Sequence, residues 1–314
     1  MQQFILLRVL QGLLSLWVIS IIVFALTRFS GNPVDLMLDD YATKEDRRRL
    51  EHYLGVDKPM HEQYVLFLGR AMKGDLGKSI TAKRDATEMV IERIPNTLKL
   101  ATAAFTVAVL FGIPVGVYTA YNRGRWFDLA GRAVAIGGQS VPGFWLGLVY
   151  IYLFAVIWGI FPTGGIGHGW QWEGGLEHYI LPSATVGWLV SSGIIRLTRM
   201  AMLDSLESDY VKLARVKGLP EWKVLWKHAF KNSLIPVVTL LFLLFAGMLN
   251  GIIIAETIFS WPGIGRMAID SIRSRDYPVT QTIVLFSAAL YVTANLLADV
   301  TYAYLNPKIR YKSR

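Results

Sequence analysis

Few side chains in this sequence are spaced for chemistry. Met72-Lys-Gly-Asp-Leu-Gly77-Lys78-Ser79 resembles the end of a phosphate-binding P-loop, in which backbone N–H groups and a lysine hold phosphate oxygens. That motif needs a glycine five residues before Gly77, and Met72 stands there. The segment therefore reads as a turn, and any ATP the protein uses must be hydrolysed by another chain. His52, His61, His168, His178 and His228 form no His-x-x-x-His pair and none lies well inside an apolar run. His168 and His178 share one loop and could hold a metal; surface histidines are the plainer reading. Ser140, Ser191 and Ser192 have no histidine to activate them, so their hydroxyls suit helix packing or pore lining. The absence of cysteine removes thiolate ligands, thiol nucleophiles and disulfides. No catalytic, cofactor-binding or metal-ligating residue is expected in this chain.

The elements around these residues are set by charge placement. Of 314 residues, 53% are hydrophobic and only 18% charged, with a mean hydropathy of +0.39. Charge-free runs occupy residues 9–27, 100–122, 133–172, 178–195, 232–255 and 277–298. A bilayer-spanning helix needs about 20 mostly apolar residues, so six spans are expected and a soluble globule is excluded. The first run is too long for the apolar part of a cleaved leader and no Ala-x-Ala-like site follows Arg28, so it reads as a retained span. Within 133–172 a helix fits residues 132–159, kinked at Pro142, followed by a glycine-rich outer loop anchored by Trp170 and Trp172.

The net charge of +9 is a membrane signature here, not a nucleic-acid one. With the N-terminus inside, the inner segments 1–8, 123–132, 196–231 and the tail hold sixteen Lys and Arg, against three in the short outer loops. Basic residues stay on the cytoplasmic side of short loops, so both ends are expected there. Residues 30–96 carry eleven basic and twelve acidic side chains and read as a small external helical insertion. Thr43 with Asp46 would cap one helix bearing Leu50, Tyr53 and Leu54 and ending at Gly55; Pro59 would open a second, and Asp85 with Glu88 would cap a third that Pro95 ends. The expected organisation is 1–29 first span, 30–96 external insertion, 97–305 five-helix core and 306–314 tail.

Gly112/Gly116, Gly143/Gly147 and Gly247/Gly251 repeat at four residues, a spacing that suits close helix packing. Gln139, Ser140 and Asn250 are polar within spans, and Glu256 sits at the edge of one. These four are the candidates for lining a pathway.

The inner loop 204–232 carries most information. Asp209 can cap a short helix that Gly218 ends, and Pro220 sits where a second would start. In that second helix Trp222, Leu225, Trp226, Ala229 and Phe230 share a face at a 3.6-residue period, with Lys223, Lys227 and Lys231 elsewhere. Periodicity alone leaves two readings open: a basic helix lying on anionic lipid, or an elbow docking onto another protein.

Ala214-x-x-x-Gly218, a long gap and Ile235-Pro236 resemble the EAA loop of binding-protein-dependent ABC importer permeases. Lys212-Leu213-Ala214 stands where the general pattern has Glu-Ala-Ala, which is similar to the dipeptide, oligopeptide and nickel permease branch. Tyr53-Leu-Gly-Val-Asp-Lys-Pro59, Gly74-Asp-Leu-Gly77, Ile94-Pro-Asn-Thr-Leu98, Glu256-Thr-Ile-Phe-Ser-Trp-Pro-Gly-Ile-Gly-Arg266 and Arg275-Asp-Tyr-Pro278 resemble the same branch, in order along the chain.

The resemblance implies an all-α polytopic permease of the type I importer fold in a bacterial inner membrane. It implies a second, homologous permease, two ATPase subunits binding ATP and Mg, and an extracytoplasmic solute-binding protein. The cargo would be di- or oligopeptides, or alternatively nickel or glutathione, moved by alternating access. Asp209, Tyr210, Ala214, Lys217, Gly218, Leu219, Trp222 and Pro236 would form the ATPase-coupling loop. A secondary transporter or channel is the rival reading. It would place ionisable residues at mid-membrane, where each costs roughly 2.5–3.5 kcal/mol, and none is found there.

Overall fold

The computed structural model describes residues 2–29, 57–166 and 175–305, with isolated positions between 34 and 52. The expected helix from Thr43 to Gly55 falls largely outside these residues, as do His168, Trp170, Trp172 and the tail. The helices are α1 Gln2–Phe29, α2 Met60–Met72, α3 Ala86–Tyr121, α4 Trp126–Ser140, α5 Gly143–Tyr150, α6 Glu177–Leu206, α7 Asp209–Val216, α8 Glu221–Lys223, α9 Lys231–Gly251, α10 Ile253–Ile258, α11 Ile264–Arg273 and α12 Tyr277–Leu305. Ile151–Ile157 prolongs α5 and Val224–Phe230 prolongs α8, both as π-helix. No β-strand occurs among the described residues; Lys78 and Asp85 form an isolated bridge.

Stretches of α1, α3, α6 and α12 are each long and apolar enough to cross a membrane alone. Two bent helix pairs, residues 126–140 with 143–157, at 105°, and 221–234 with 236–248, at 52°, bring the number to six if each crosses as one broken span. These elements coincide with the six charge-free runs.

Two expectations about proline need correction. Pro95 does not end a short helix: Asp85 caps α3 through the Thr87 and Glu88 amides, at 2.8 and 3.1 Å, and the helix runs on to Tyr121. An interior proline costs about 3 kcal/mol. Val90 before it and Leu100, Ala101 and Ala104 after it are all fully buried, and each large apolar side chain buried returns roughly 1.5–3 kcal/mol. Pro142 does more than kink its helix. Val141 and Pro142 are both extended, and the chain turns by 105° there.

The chain separates into two compact units. The first comprises Gln2–Asn96 and Gly263–Leu296. In it Phe24 of α1 packs edge-on against Tyr64 of α2, centroids 5.5 Å apart, and Ser20 shares a 2.8 Å hydrogen bond with the Tyr64 hydroxyl. Ala86, Val90, Ile264, Val279 and Ile283 form its buried centre. The turn after α2 passes through Gly74 and Gly77, both at positive φ, and then wraps Asp276. That carboxylate is 2% exposed. It accepts hydrogen bonds from Ser79 Oγ at 2.5 Å, Thr81 Oγ1 at 2.9 Å, and the Ile80 and Thr81 amides at 3.2 Å. Burial pushes the Asp276 pKa up, but the donors from Ser79, Ile80 and Thr81 outweigh it and hold the carboxyl below its ordinary value.

The second unit comprises Thr97–Pro262 and Leu297–Arg314. Its spine is α6. A Cβ added at Gly112 would stand 2.9 Å from Ile194, and one at Gly116 would stand 2.6 Å from Thr198 Cβ. On another side of α6, a Cβ at Gly138 of α4 would stand 2.9 Å from Ser192 Cβ. Glycine thus lets α3 and α4 approach the α6 backbone closely. Gly247 has no such neighbour, so the small-residue spacing marks packing at Gly112 and Gly116 and not there. Leu100, Ala104, Leu181, Ile252, Phe259 and Trp261 are buried together, with Trp261 edge-on to Tyr179 at 4.7 Å.

Candidate functional site

The candidate site is the elbow formed by α7, α8 and the π-helical turn. Ser208, extended at φ −70°, ψ 152°, is the N-cap residue of α7. Asp209, expected as the cap, is instead the first helical residue, and its carboxylate pairs with Lys212 at 3.0 Å. A first-turn acid still complements the helix dipole. At the other end Gly218 has φ +73°, and its amide and that of Leu219 return to the carbonyls of Arg215 and Ala214. Pro220 precedes α8, and Arg215 braces Glu221 across the turn at 2.7 Å.

One face of the elbow is committed inward. Val211, Ala214, Val224 and Ala229 are buried against Val117 and Ala120 of α3 and Met202 of α6, with Leu219 and Phe230 packed alongside. Ser205 Oγ bonds the Ala229 carbonyl at 2.9 Å and meets the Tyr210 hydroxyl at 2.6 Å. Burial raises the Tyr210 pKa, but hydrogen bonds with Ser205, Ser208 and Asn232 more than offset this, leaving it below the ordinary value.

The opposite face is open. Leu213, Val216, Trp222 and Trp226 are 53%, 83%, 63% and 46% exposed; Lys212, Lys217, Lys223 and Lys227 are exposed along the same segment, as are Asp209 and Glu221, and Lys223 lies over the Trp222 ring. The 3.6-residue wheel had placed Trp222 and Trp226 on the face of Ala229. A π-helix bonds i to i+5 and turns less per residue than an α-helix, so Val224 and Ala229 share the inner side and the two indoles turn outward. Pro236 is exposed and sits at the 52° bend that leads into the membrane segment.

The candidate pathway residues have unlike surroundings. Gln139 and Ser140 are exposed at the end of α4; Ser140 Oγ bonds the Ile136 carbonyl at 3.0 Å and Arg196 reaches Gln139 at 3.4 Å. Glu256 is wholly buried and accepts a 2.6 Å hydrogen bond from Thr97 Oγ1, so its carboxylate belongs to the packed interior. The Asn250 side chain lies outside the described residues. An apolar cavity of about 360 Å³ is lined by residues including Gly143, Leu189, Leu243, Gly247 and Met248.

Ser191 and Ser192 bond the carbonyls of Trp188 and Leu189, each at 2.7 Å, as packing hydroxyls do. Ser79 of the P-loop-like segment is committed to Asp276. Among the described residues no group of three His, Cys, Asp or Glu is placed to hold a metal ion. Two arrangements were missed from sequence: the Asp276 clasp, and a buried Asp128 with Arg199. Arg275-Asp-Tyr-Pro278 was a signal for the first; for the second the only cue was an acid among the arginines before the third apolar run.

The first 101 residues match the family described as the N-terminal part of binding-protein-dependent transport system membrane components, and residues 112–311 match the binding-protein-dependent transport system inner membrane component. The chain belongs to that family of ABC importer permeases. It is 38% identical over 313 residues, 99% of this chain and all of the relative, to the glutathione transport system permease protein GsiC of Salmonella choleraesuis strain SC-B67. The GsiC protein of Escherichia coli strain K12 is 37% identical over the same span. Among solved structures, the inward-facing MetNI methionine ABC transporter matches with a TM-score of 0.57 at 16% identity, covering 69% of this chain and 96% of that one. An amino acid ABC transporter with histidines matches with a TM-score of 0.55 at 17% identity, covering 69% and 94%. The fold is that of a type I importer permease.

Proposed function

We propose that this permease carries glutathione or small peptides inward across a bacterial inner membrane, driven by ATPase subunits that dock on its elbow and bind ATP and Mg themselves. The observation that carries the docking is the open face of Leu213, Val216, Trp222 and Trp226 with the exposed lysines along the same segment. An exposed apolar patch ringed by polar groups is the anatomy of a protein interface. Such lysines steer an acidic partner and add specificity. The cargo follows from the named relatives over full length; nickel is the alternative within the branch. A second, homologous permease completes the pathway, and an external binding protein delivers the solute. Both termini lie in the cytoplasm, residues 30–96 face outside, and residues 97–305 form the transport core.

The mechanism is alternating access. Closure of the ATPases moves the elbow, and the rigid helices continuous with it carry that motion to the span ends bearing Gln139 and Ser140. The inward residues Ala214 and Leu219 fix the elbow to the helices, while Tyr210, Lys217, Trp222 and the turn at Gly218 set the docking surface. Pro236 sets the bend through which the motion passes.

Gly218→Val tests this reading. The added Cβ meets open space, so its effect is confined to backbone strain at φ +73°. The complex is expected to reach the membrane but to release its ATPase subunits on purification. Full retention with normal stimulated hydrolysis would remove the docking role and leave a lipid-surface helix.

A further inference from the structure

We propose that Asp128 is the positioning residue that makes the turn between α3 and α4, and α4 itself, move with the elbow. The inference rests on the docking reading above and adds the route by which the motion leaves the elbow.

Asp128 is 2% exposed, in the first turn of α4. Arg199 of α6 binds it with both arms of its guanidinium, Nε at 2.8 Å and Nη2 at 3.0 Å. The Gly124 amide donates to it at 3.1 Å, and Arg132 Nε lies 3.4 Å away. The tight turn 122–125, with Gly124 at φ +80°, is therefore fastened to α6 through a single carboxylate. Beside it, Arg123 pairs with Glu207, the residue between α6 and the elbow. Three turns along α4, Arg196 of α6 reaches Gln139.

The three polar ties join α4 and the turn before it to α6 and to Glu207 at its end. A buried ion pair adds little net stability over apolar packing of the same volume. A bidentate arginine–carboxylate pair adds direction: it holds two helices at one angle. Gly138 already seats α4 closely on α6, so the pair has few arrangements open to it and transmits rotation instead of absorbing it. Asp128→Asn keeps the side-chain shape and one acceptor but leaves Arg199 without its carboxylate, so the tie that fixes the angle is lost while the apolar and glycine contacts of α4 with α6 remain.

The test uses the complete importer, this chain with its permease and ATPase partners, reconstituted in liposomes. The chain has no cysteine, so Ser140→Cys, with partner subunits made cysteine-free, provides a single reporter at an exposed position. Its rate of labelling by a charged thiol reagent is compared between the resting and vanadate-trapped complexes. An otherwise unaltered chain is expected to show about a tenfold difference, and Asp128→Asn about twofold or less, the scale of a lost coupling energy. ATP hydrolysis and ATPase retention should stay as in the parent.

The proposal is overturned if the parent shows no labelling change, or if Asp128→Asn keeps the full change. It is also overturned if labelling, hydrolysis and assembly fall together, which is the mark of a purely structural pair. Should Asp128→Asn fail to assemble, Arg199→Lys, which keeps the charge and loses the fork, is judged by the same criteria. Trp222→Ala reports separately on docking: full ATPase retention in that variant counts against the elbow and not against Asp128.

Discussion

Replacing Asp276 by Asn removes the acceptor that holds the turn after α2. In the native protein five donors converge on the carboxylate: two hydroxyls and the Ile80 and Thr81 amides at 2.5–3.2 Å, and the Val279 amide at 3.5 Å. Hydrogen bonds to a charged group are worth about 1.5–3 kcal/mol each. Asn keeps one acceptor oxygen and presents an amide nitrogen where Oδ1 or Oδ2 stood, so about half the set is lost. With non-additivity, the net weakening of the clasp is about 3 kcal/mol. The turn carries Lys78, Lys83 and Arg84, three trypsin sites. In the regime where local opening is fast, their cleavage rate follows the open population, and 1.4 kcal/mol is tenfold. Trypsin is therefore expected to cut this turn about 100-fold faster in Asp276→Asn at neutral pH, with the membrane helices intact. The pH dependence has a fixed sign. The folded pKa is depressed, so the clasp is complete above the ordinary value of 3.8 and weakens as pH falls through the lower folded value. The difference between variant and parent should stay constant between about pH 8 and pH 5 and close only in stronger acid. Equal cleavage of the two proteins at neutral pH, or a difference that widens in acid, would refute the reasoning.

Gly116→Val should cost about 3 kcal/mol or more, because the new Cβ would stand 2.6 Å from Thr198 Cβ and 2.9 Å from the Ile195 carbonyl; size-exclusion chromatography should show aggregated protein, whereas Gly247→Ala, with nothing within 4 Å, should elute as the parent does. Thr97→Val deprives buried Glu256 of its 2.6 Å donor and should lower the thermal midpoint in detergent, by the equivalent of about 2 kcal/mol; an unchanged midpoint would show that the remaining contacts of Glu256 suffice. Lys73→Cys and Lys217→Cys, both at exposed positions, should label from opposite sides of intact cells, and labelling of both from outside would refute the proposed topology. Ser79 is unsuitable for that experiment, since it is 1% exposed and part of the clasp.

What the sequence made legible and what it hid divide along a physical line. The spans were readable because every charge buried in hydrocarbon is costly, so each run between Lys99 and Arg123, or Asp276 and Asp299, could be counted directly. Gly218 and Pro220 were readable because their constraints are local, acting through their own φ angles. Pro95 misled because burial of Val90 and Leu100 on either side, invisible from the residue itself, outweighs a broken helix bond. Trp222 and Trp226 misled because a wheel of 3.6 residues does not describe a π-helical turn. Asp128 with Arg199, and Asp276 with Ser79, are separated by 71 and 197 residues, and nothing short of the folded backbone brings such pairs together.

The π-helical turn also governs how elbows can be exchanged between permeases. Seven residues, Val224–Phe230, run at the wider repeat, and the inward pairing of Val224 with Ala229 depends on that count. A chimera joined inside this stretch, or one whose donor lacks the extra residue, would turn the graft by about a quarter to a third of a revolution relative to α9, one residue's worth of helical rotation. Trp222 would then point toward Met202 and an inner valine toward water. Grafts that keep this packing should therefore have their junctions at Ser208 and beyond Phe230, carrying the whole turn as one cassette.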